Sequence, residues 1–386
     1  MASRVMSRSV SKPRILVVFG TRPEAIKLCP LILHLRRQYP EISVRVCVTA
    51  QHRQLLDHVL KVFAVRPDYD LDCMRPGQTL FQSTSRILAA LESVVADARP
   101  GLLLVQGDTT TTLCGALAGY YSRIPVGHVE AGLRTENLAA PFPEELNRVL
   151  VGRIAALHFA ATEWAAANLR AERVPDGAIT ITGNTGIDAV FYVRDELRAG
   201  RWPGSNLPLA PDRKLILVTA HRRESFGPGF DQICAALADL SVREDVEIVY
   251  PVHPNPQVRD PVRRYLAGKP RVRLVEPLEY APFVDLLLRS WFVLTDSGGV
   301  QEEAPSLGKP VLVLRGETER PEGIAAGTAR LVGTDRRKIV EECERLLDNG
   351  AAYEAMARAH NPYGDGRASE RIARRILQFL NHTPAE

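Results

Sequence analysis

Short β-branched apolar runs alternate with longer stretches whose apolar positions recur at helical spacing, almost from end to end of the chain. RILVVF, VRVCVTA, LLLVQGD, PVGHVEAG and LHFAAT have the length and composition of strands, whereas PEAIKLCPLILHLRRQ, TTTLCGALAGYYS and PEELNRVLVGRI carry a helical period. This is the grammar of a parallel sheet covered by helices. The pattern pauses at RAGRWPGSNLPLAPDRK, a Pro/Gly/Asn-rich loop around residues 199–214, and resumes with LILVTA, VEIVYPVH, VRLVEP, WFVLTDSGG and PVLVLRG. Two Rossmann-like, doubly wound α/β domains are predicted, over residues 14–184 and 185–367. The boundary is set near Gly183, because ITGNTGIDAV already looks like a strand leading into a helix. A last amphipathic helix, RASERIARRILQFL within residues 368–386, is expected to pack back on the first domain. Residues 1–13, basic and Ser-rich, are expected to form a disordered tail.

Composition narrows the classes. A chain of 386 residues, 45% hydrophobic and 24% charged, has enough apolar surface for two real cores. The net charge of +4 is mild and the basic residues are dispersed, which argues against a nucleic-acid partner. No apolar run is long enough to cross a membrane, and the N-terminal residues lack the apolar centre of a secretory signal. Cys29, Cys47, Cys73, Cys114, Cys234 and Cys343 are far apart and mostly inside apolar runs. Free buried thiols in a reducing cytoplasm are expected.

In open α/β sheets ligands sit outside the carboxyl ends of the strands, so polar residues just after strands carry the candidate chemistry. VVFGTRPEAIK places Gly20 at a strand end, where it lets the backbone turn; Arg22 and Lys27 follow on a helix whose first amides favour an anion. Capped-turn and anion-site readings both fit this stretch. VQGDTTTT places Asp108 at another strand end, either as a helix N-cap or as a functional carboxylate. HVEAGLRTENLAAPFPEELNR adds Glu130 at a strand end and Glu144 at a helix start. Its His128-x-Glu130 pair has the spacing of a zinc deaminase, but no PCxxC follows, so no metal is expected. DYDLD imitates a calcium loop, yet Cys73 and Thr79 occupy the required Gly and Glu positions. In the second half, VTAHRRESFG gathers His221, Arg222 and Arg223 after a strand. WFVLTDSGGVQEEAPSLGKP then offers Ser297, Gly298 and Gly299 before a helix, an amide-lined cup for a diphosphate. Glu303 lies further along that helix, in reach of ribose hydroxyls, and Arg320 follows the next strand.

Taken together, FGTRPEAIK, TAQHR, GDTTTT, HVEAGLRT, FPEELNR, GNTGIDA, HRRESFG, DSGGVQEEAPSLGKPVLVLR, ERPEG and NPYGDG resemble the motifs of the bacterial, non-hydrolysing UDP-N-acetylglucosamine 2-epimerases, in order, from about residue 14 to about 380. The resemblance implies a fold like that of the B-type glycosyltransferases, with two domains facing a cleft that holds the UDP-sugar. It implies a cytoplasmic, homodimeric isomerase that interconverts UDP-GlcNAc and UDP-ManNAc without a cofactor, through a glycal, and supplies ManNAc for surface polysaccharide. Asp108, Glu130 and Glu144 match the catalytic carboxylates, with acid and base unassigned. His221, Arg22 and Lys27 match groups that steady the departing diphosphate. Phe283, Ser297, Gly298, Gly299, Glu303 and Arg320 match uridine diphosphate contacts. Gln51, Gln54, Arg222 and His253 are candidates for a second UDP-GlcNAc acting as activator, although Gly77 stands where some members carry an Arg on that ligand. Leu278 replaces a nucleotide-contacting Gln of some members, and Ala220 a Gly. A hydrolysing epimerase, an epimerase of a modified UDP-sugar, a glycosyltransferase and a non-catalytic UDP-sugar sensor are the rivals.

Overall fold

A computed structural model of the chain describes residues 12–50, 53–75 and 77–382. Residues 1–11 of the expected tail and Gln51 lie outside the described residues; Gln54 is placed only by its backbone, on the helix Arg53–Val62. The chain divides into two compact units, one running up to Thr182 and resuming at Ser369, the other spanning Gly183–Ala368.

The first unit is built on strands β1 (Arg14–Phe19), β2 (Ser43–Val48), β3 (Tyr69–Asp70), β4 (Leu102–Gln106), β5 (Val126–Ala131), β6 (Leu157–Ala160) and β7 (Ile179–Ile181). They form one sheet in the order β3-β2-β1-β4-β5-β6-β7, every pair parallel. β1 and β4 are the central neighbours, in the register Ile15 against Leu102, and both read as continuous apolar runs because helices cover both faces. The chain winds outward from β1 to one edge and from β4 to the other, so the topological switch point lies between their carboxyl ends. The C-terminal helix Ala368–His382 belongs to this unit: Ile372, Ala373 and Ile376 are buried, and Arg371 and Arg375 donate to the carbonyls of Thr182 and Gly177, each at 2.9 Å.

The second unit repeats the plan with β8 (Lys214–Thr219), β9 (Val246–Pro251), β10 (Val272–Val275), β11 (Phe292–Thr295), β12 (Val311–Val313) and β13 (Ala329–Leu331), all parallel in the order β10-β9-β8-β11-β12-β13. Within β8 the pleat sends Ile216 and Val218 to one core with Phe230 and Ile248, and Leu215 and Leu217 to the other with Leu286 and Val293. Its switch point lies between β8 and β11. All six cysteines are free and buried. Burial pushes the thiols of Cys47, Cys114 and Cys234 up to about 12, well above the range in which a thiolate forms.

Candidate active site

The turn after β1 is organised by Glu24. Thr21 caps the helix Arg22–Gln38, and the Glu24 carboxylate accepts from the amides of Thr21 at 2.7 Å and Gly20 at 3.1 Å. The same carboxyl accepts from the hydroxyls of Thr109 at 2.8 Å and Thr112 at 3.1 Å, so it joins the β1 turn to the β4 turn. Gly20 is needed for room, not for a left-handed turn: a Cβ there would lie 2.1 Å from the Thr49 hydroxyl and 2.5 Å from that of Thr111. Arg22 opens the helix, half-buried, and Lys27 lies further along it. Lys27 is engaged with a carboxylate, its Nζ paired with Glu130.

Asp108 does not cap the helix that follows it; Thr109 does, accepting from the Thr112 amide at 3.2 Å. The Asp108 side chain is thereby left to pair with Arg148 at 2.8 Å, while its carbonyl accepts from Asn147 Nδ2 at 2.8 Å. Glu130 sits where the pairing of β5 with β6 slips between Val129 and Ala131, and its backbone is left-handed, with φ of 62°. Such a bulge turns a side chain off the regular alternation. Glu130 is held at both oxygens, by Lys27 and by the side-chain amide of Gln106. Glu144 opens the helix Glu144–Ile154 and is half-buried, whereas the adjacent Glu145 is buried and accepts from the amides of Thr135 at 3.0 Å and Glu136 at 3.1 Å. Glu145 therefore anchors the loop.

Burial pushes the Asp108 carboxyl above the usual carboxylate range; Arg148 opposes this, and Glu130 and Glu144 add to it by like-charge repulsion. Desolvation leads and charge clustering follows. His128 is fully buried and donates through Nε2 to the Gly107 carbonyl at 2.7 Å, and burial holds it down at about 3. It is a neutral structural histidine. Asp68 in DYDLD accepts from Arg45 at 2.7 Å and the Val46 amide at 2.9 Å, which makes it a strand-end staple. Among the described residues no cluster of His, Cys, Asp and Glu is set to hold a metal ion.

In the second unit, Asp296 follows β11 and is fully buried. One of its oxygens accepts from the backbone amides of His221 at 2.6 Å and Arg222 at 2.7 Å, which fixes the loop after β8 against the loop after β11. The His221 ring stacks on His253, centroids 5.5 Å apart and planes 16° off parallel. Arg222 is half-buried beside it. Ala220 is buried and outside the left-handed region, so the absence of Gly there costs nothing. Ser297 precedes the helix Gly298–Ser306 and, among the described residues, makes no side-chain cap to it. A Cβ on Gly298 would lie 2.7 Å from the Arg320 guanidinium carbon, whereas one on Gly299 would meet no described atom within 4 Å. Arg320 pairs with the buried Glu302 at 2.9 Å, and Glu302 also accepts from Asn184 Nδ2 at 2.6 Å. Glu303 is half-buried on the same helix, and Phe283, on the helix Tyr280–Arg289, packs against the cluster that includes Val300.

The first unit thus gathers Asp108, Glu130, Glu144 and Lys27, with Arg22 on the same helix as Lys27. The second places His221 and Arg222 after β8, with His253 stacked on His221 from the end of β9, and Ser297, Gly298, Gly299 and Glu303 after β11, with Arg320 reaching Gly298 from the loop after β12. Sequence reasoning missed Gln106, Arg148, Asp296 and Glu302, each of which holds a candidate residue in place. Asp296 and Glu302 stand beside a candidate and Gln106 two positions before one in the motifs quoted above, and Arg148 lies one helical turn after Glu144.

A family model described as UDP-N-acetylglucosamine 2-epimerase matches residues 34–377. The chain is 57% identical over 365 residues to the UDP-N-acetylglucosamine 2-epimerase of Escherichia coli K12, a match that covers 93% of this chain and 97% of that protein. The crystal structure of a UDP-GlcNAc 2-epimerase from Neisseria meningitidis, bound to UDP-GlcNAc, has a TM-score of 0.88 at 46% identity and covers 95% of this chain and 100% of that one. A sucrose-phosphate synthase from Thermosynechococcus elongatus, with a TM-score of 0.60 at 15% identity over 96% of this chain and 98% of its own, shares the two-domain fold alone.

Proposed function

This chain belongs to the UDP-N-acetylglucosamine 2-epimerase family, and on that premise we propose that it interconverts UDP-GlcNAc and UDP-ManNAc without hydrolysing either, by eliminating UDP and adding it back. The C2–H bond of the sugar is barely acidic, so it breaks most readily as the C1–O bond to UDP breaks. A carboxylate takes the C2 proton, UDP leaves with the C1–O electron pair, and a C1–C2 double bond forms. The reverse addition then delivers a proton to the opposite face of C2 as the UDP oxygen returns to C1. Such a reaction requires acid and base groups around one ring, and its atoms balance without nicotinamide or metal.

The observation that carries this reading is the carboxylate cluster of the first unit, in which half-buried Asp108 feels both Glu130 and Glu144. Asp108, whose carboxyl is pushed upward, is suited to carry a proton, while Glu130 is paired with Lys27. We assign Ser297, Gly298, Gly299 and Arg320 to the diphosphate, Glu303 and Phe283 to the nucleoside, and His221 with Arg22 to the developing charge on departing UDP. Arg222 and His253 remain our candidates on the described side chains for an activating second UDP-GlcNAc. The six free thiols suit a reducing cytoplasm, and exposed Tyr120 and Tyr121 offer an apolar face for the expected homodimer.

Incubation with UDP-GlcNAc in heavy water, followed by NMR, tests the reading. The expected product is UDP-ManNAc carrying deuterium at C2, formed with no added metal or NAD. Epimerisation without solvent label would remove the elimination step. Stoichiometric free ManNAc would assign a hydrolysing enzyme, and transfer of the sugar to an acceptor a glycosyltransferase.

A further inference from the structure

His221 and Asp296 are brought together by the switch point of the second sheet. Thr219 of β8 pairs with Thr295 of β11, so the residues that leave these strands emerge side by side, and the Asp296 amide donates to the Thr219 carbonyl at 3.0 Å. The two oxygens of Asp296 have different surroundings. Oδ2 takes the two loop amides; Oδ1, equally buried, makes no hydrogen bond among the described residues and lies 3.7 Å from His221 Nδ1. A buried carboxylate oxygen without a proton donor is costly, because water has been removed and nothing replaces it. A donor is nevertheless at hand: a protonated His221 carries N–H on Nδ1 and needs to close less than 1 Å, roughly, to reach ordinary hydrogen-bond length.

We propose that Asp296 is a positioning residue that acts through His221, holding the imidazole in its charged form with Nδ1–H committed to the carboxylate and Nε2–H presented to the leaving diphosphate. The proposal rests on the assignment of His221 to the departing UDP given above. No proton is transferred in this role; the ring remains a cation while negative charge develops on the phosphate oxygen.

The surroundings set up a competition that this arrangement resolves. Partial desolvation by the surrounding loops pushes the solvent-exposed His221 ring toward its neutral form, and the stacked His253 and the neighbouring Arg222 push the same way; Asp296 is the group that pulls toward the cation. An incoming diphosphate is an anion and adds to the pull of Asp296. In the free protein the ring is therefore poised on the neutral side, and ligand binding completes a carboxylate–imidazolium–phosphate chain. The Tyr250 hydroxyl, which donates to the Ala220 carbonyl at 2.6 Å, fixes the backbone just before His221 and so limits how far the ring can wander.

Asp296→Asn is the informative variant. The amide oxygen can still accept from the His221 and Arg222 backbone, so the loop keeps its anchor, while the group facing Nδ1 becomes a donor that favours the neutral ring. Histidine Cε1–H chemical shifts, followed against pH in the presence of UDP, should show the His221 titration moving at least about one unit lower in the variant, that is, about tenfold in the proton equilibrium. The alkaline limb of kcat should move in the same direction, with kcat falling roughly tenfold at neutral pH. The control for a merely structural role is the same substitution in a His221→Gln background, where it should cost little further rate. An unchanged His221 titration, or an equal fold-loss with and without His221, would overturn the proposal. The NMR arm needs no turnover, so failure of the epimerase reading would show as absent product with the titration shift intact.

Discussion

Gly298 and Gly299 are adjacent in sequence but face different surroundings. A methyl group on Gly298 meets the Arg320 guanidinium, while one on Gly299 meets open space among the described residues. Gly298→Ala should therefore displace Arg320 from Glu302, cost about 1–3 kcal/mol of stability through overpacking, and weaken UDP binding by roughly tenfold or more. Gly299→Ala should leave the melting temperature of the free protein unchanged or slightly raised, since alanine is the better helix former. Its UDP affinity should nonetheless fall if the diphosphate lies against the first helical turn. Thermal unfolding and UDP calorimetry on the two variants separate packing from binding. Equal UDP affinities for Gly299→Ala and wild type would move the diphosphate away from that turn. The strand-to-helix turn at Ser297, Gly298 and Gly299 was legible in the sequence; that the first glycine makes room for an arginine was not, because Arg320 arrives from another loop.

At the level of the element, the bulge in β5 puts a backbone cost on a strand. A regular strand would send Glu130 to one face by strict alternation; the slip at Val129–Ala131 and the left-handed φ release it from that rule. A left-handed backbone costs a non-glycine residue about 1 kcal/mol. Glu130→Gly should accordingly be more stable than Glu130→Ala by about 1 kcal/mol in chemical denaturation, with both variants lacking turnover. The comparison cancels the loss of the Lys27 pair, which both variants share. Equal stability would mean that the bulge relaxes when the carboxylate is removed. The sequence HVEAG gives a strand ending in a carboxylate. It does not give the bulge, whose cause lies in how β5 meets β6.

On the scale of the whole molecule, buried histidines tie stability to acidity. His128 and His158 are both pushed down by burial, His128 to about 3. A histidine with a depressed folded value is protonated first in the unfolded chain, so between pH about 6.5 and about 3 each fall in pH favours unfolding. The stability is complete above that window and lost within it, by up to about 1.4 kcal/mol per pH unit for one such group. Glu24 and Asp108, pushed upward, act with the opposite sign. His128→Gln keeps a donor for the Gly107 carbonyl and removes the ionisation, so its acid-unfolding midpoint should lie lower than that of wild type when denaturation is followed by circular dichroism. An unchanged midpoint would mean that the ring is already protonated in the folded protein.

Periodicity and strand-end chemistry by themselves determined the fold class and the strand ends at which the candidate residues stand, because an alternating pattern of buried strands and amphipathic helices has few packings, and each packing leaves the same groups at the carboxyl ends. Long motifs such as DSGGVQEEAPSLGKPVLVLR carried the family in the same way, through local residues alone. Only the tertiary structure decided which partner each carboxylate meets. Glu24 and Glu145 are spent on backbone amides, Thr109 takes the cap that was one of the two readings open to Asp108, and Lys27 meets Glu130 from a strand over a hundred positions away. Pairings of this kind depend on strand order and register, which bring together residues distant in the chain, and desolvation then sets their charge; neither quantity is a property of any local stretch of sequence.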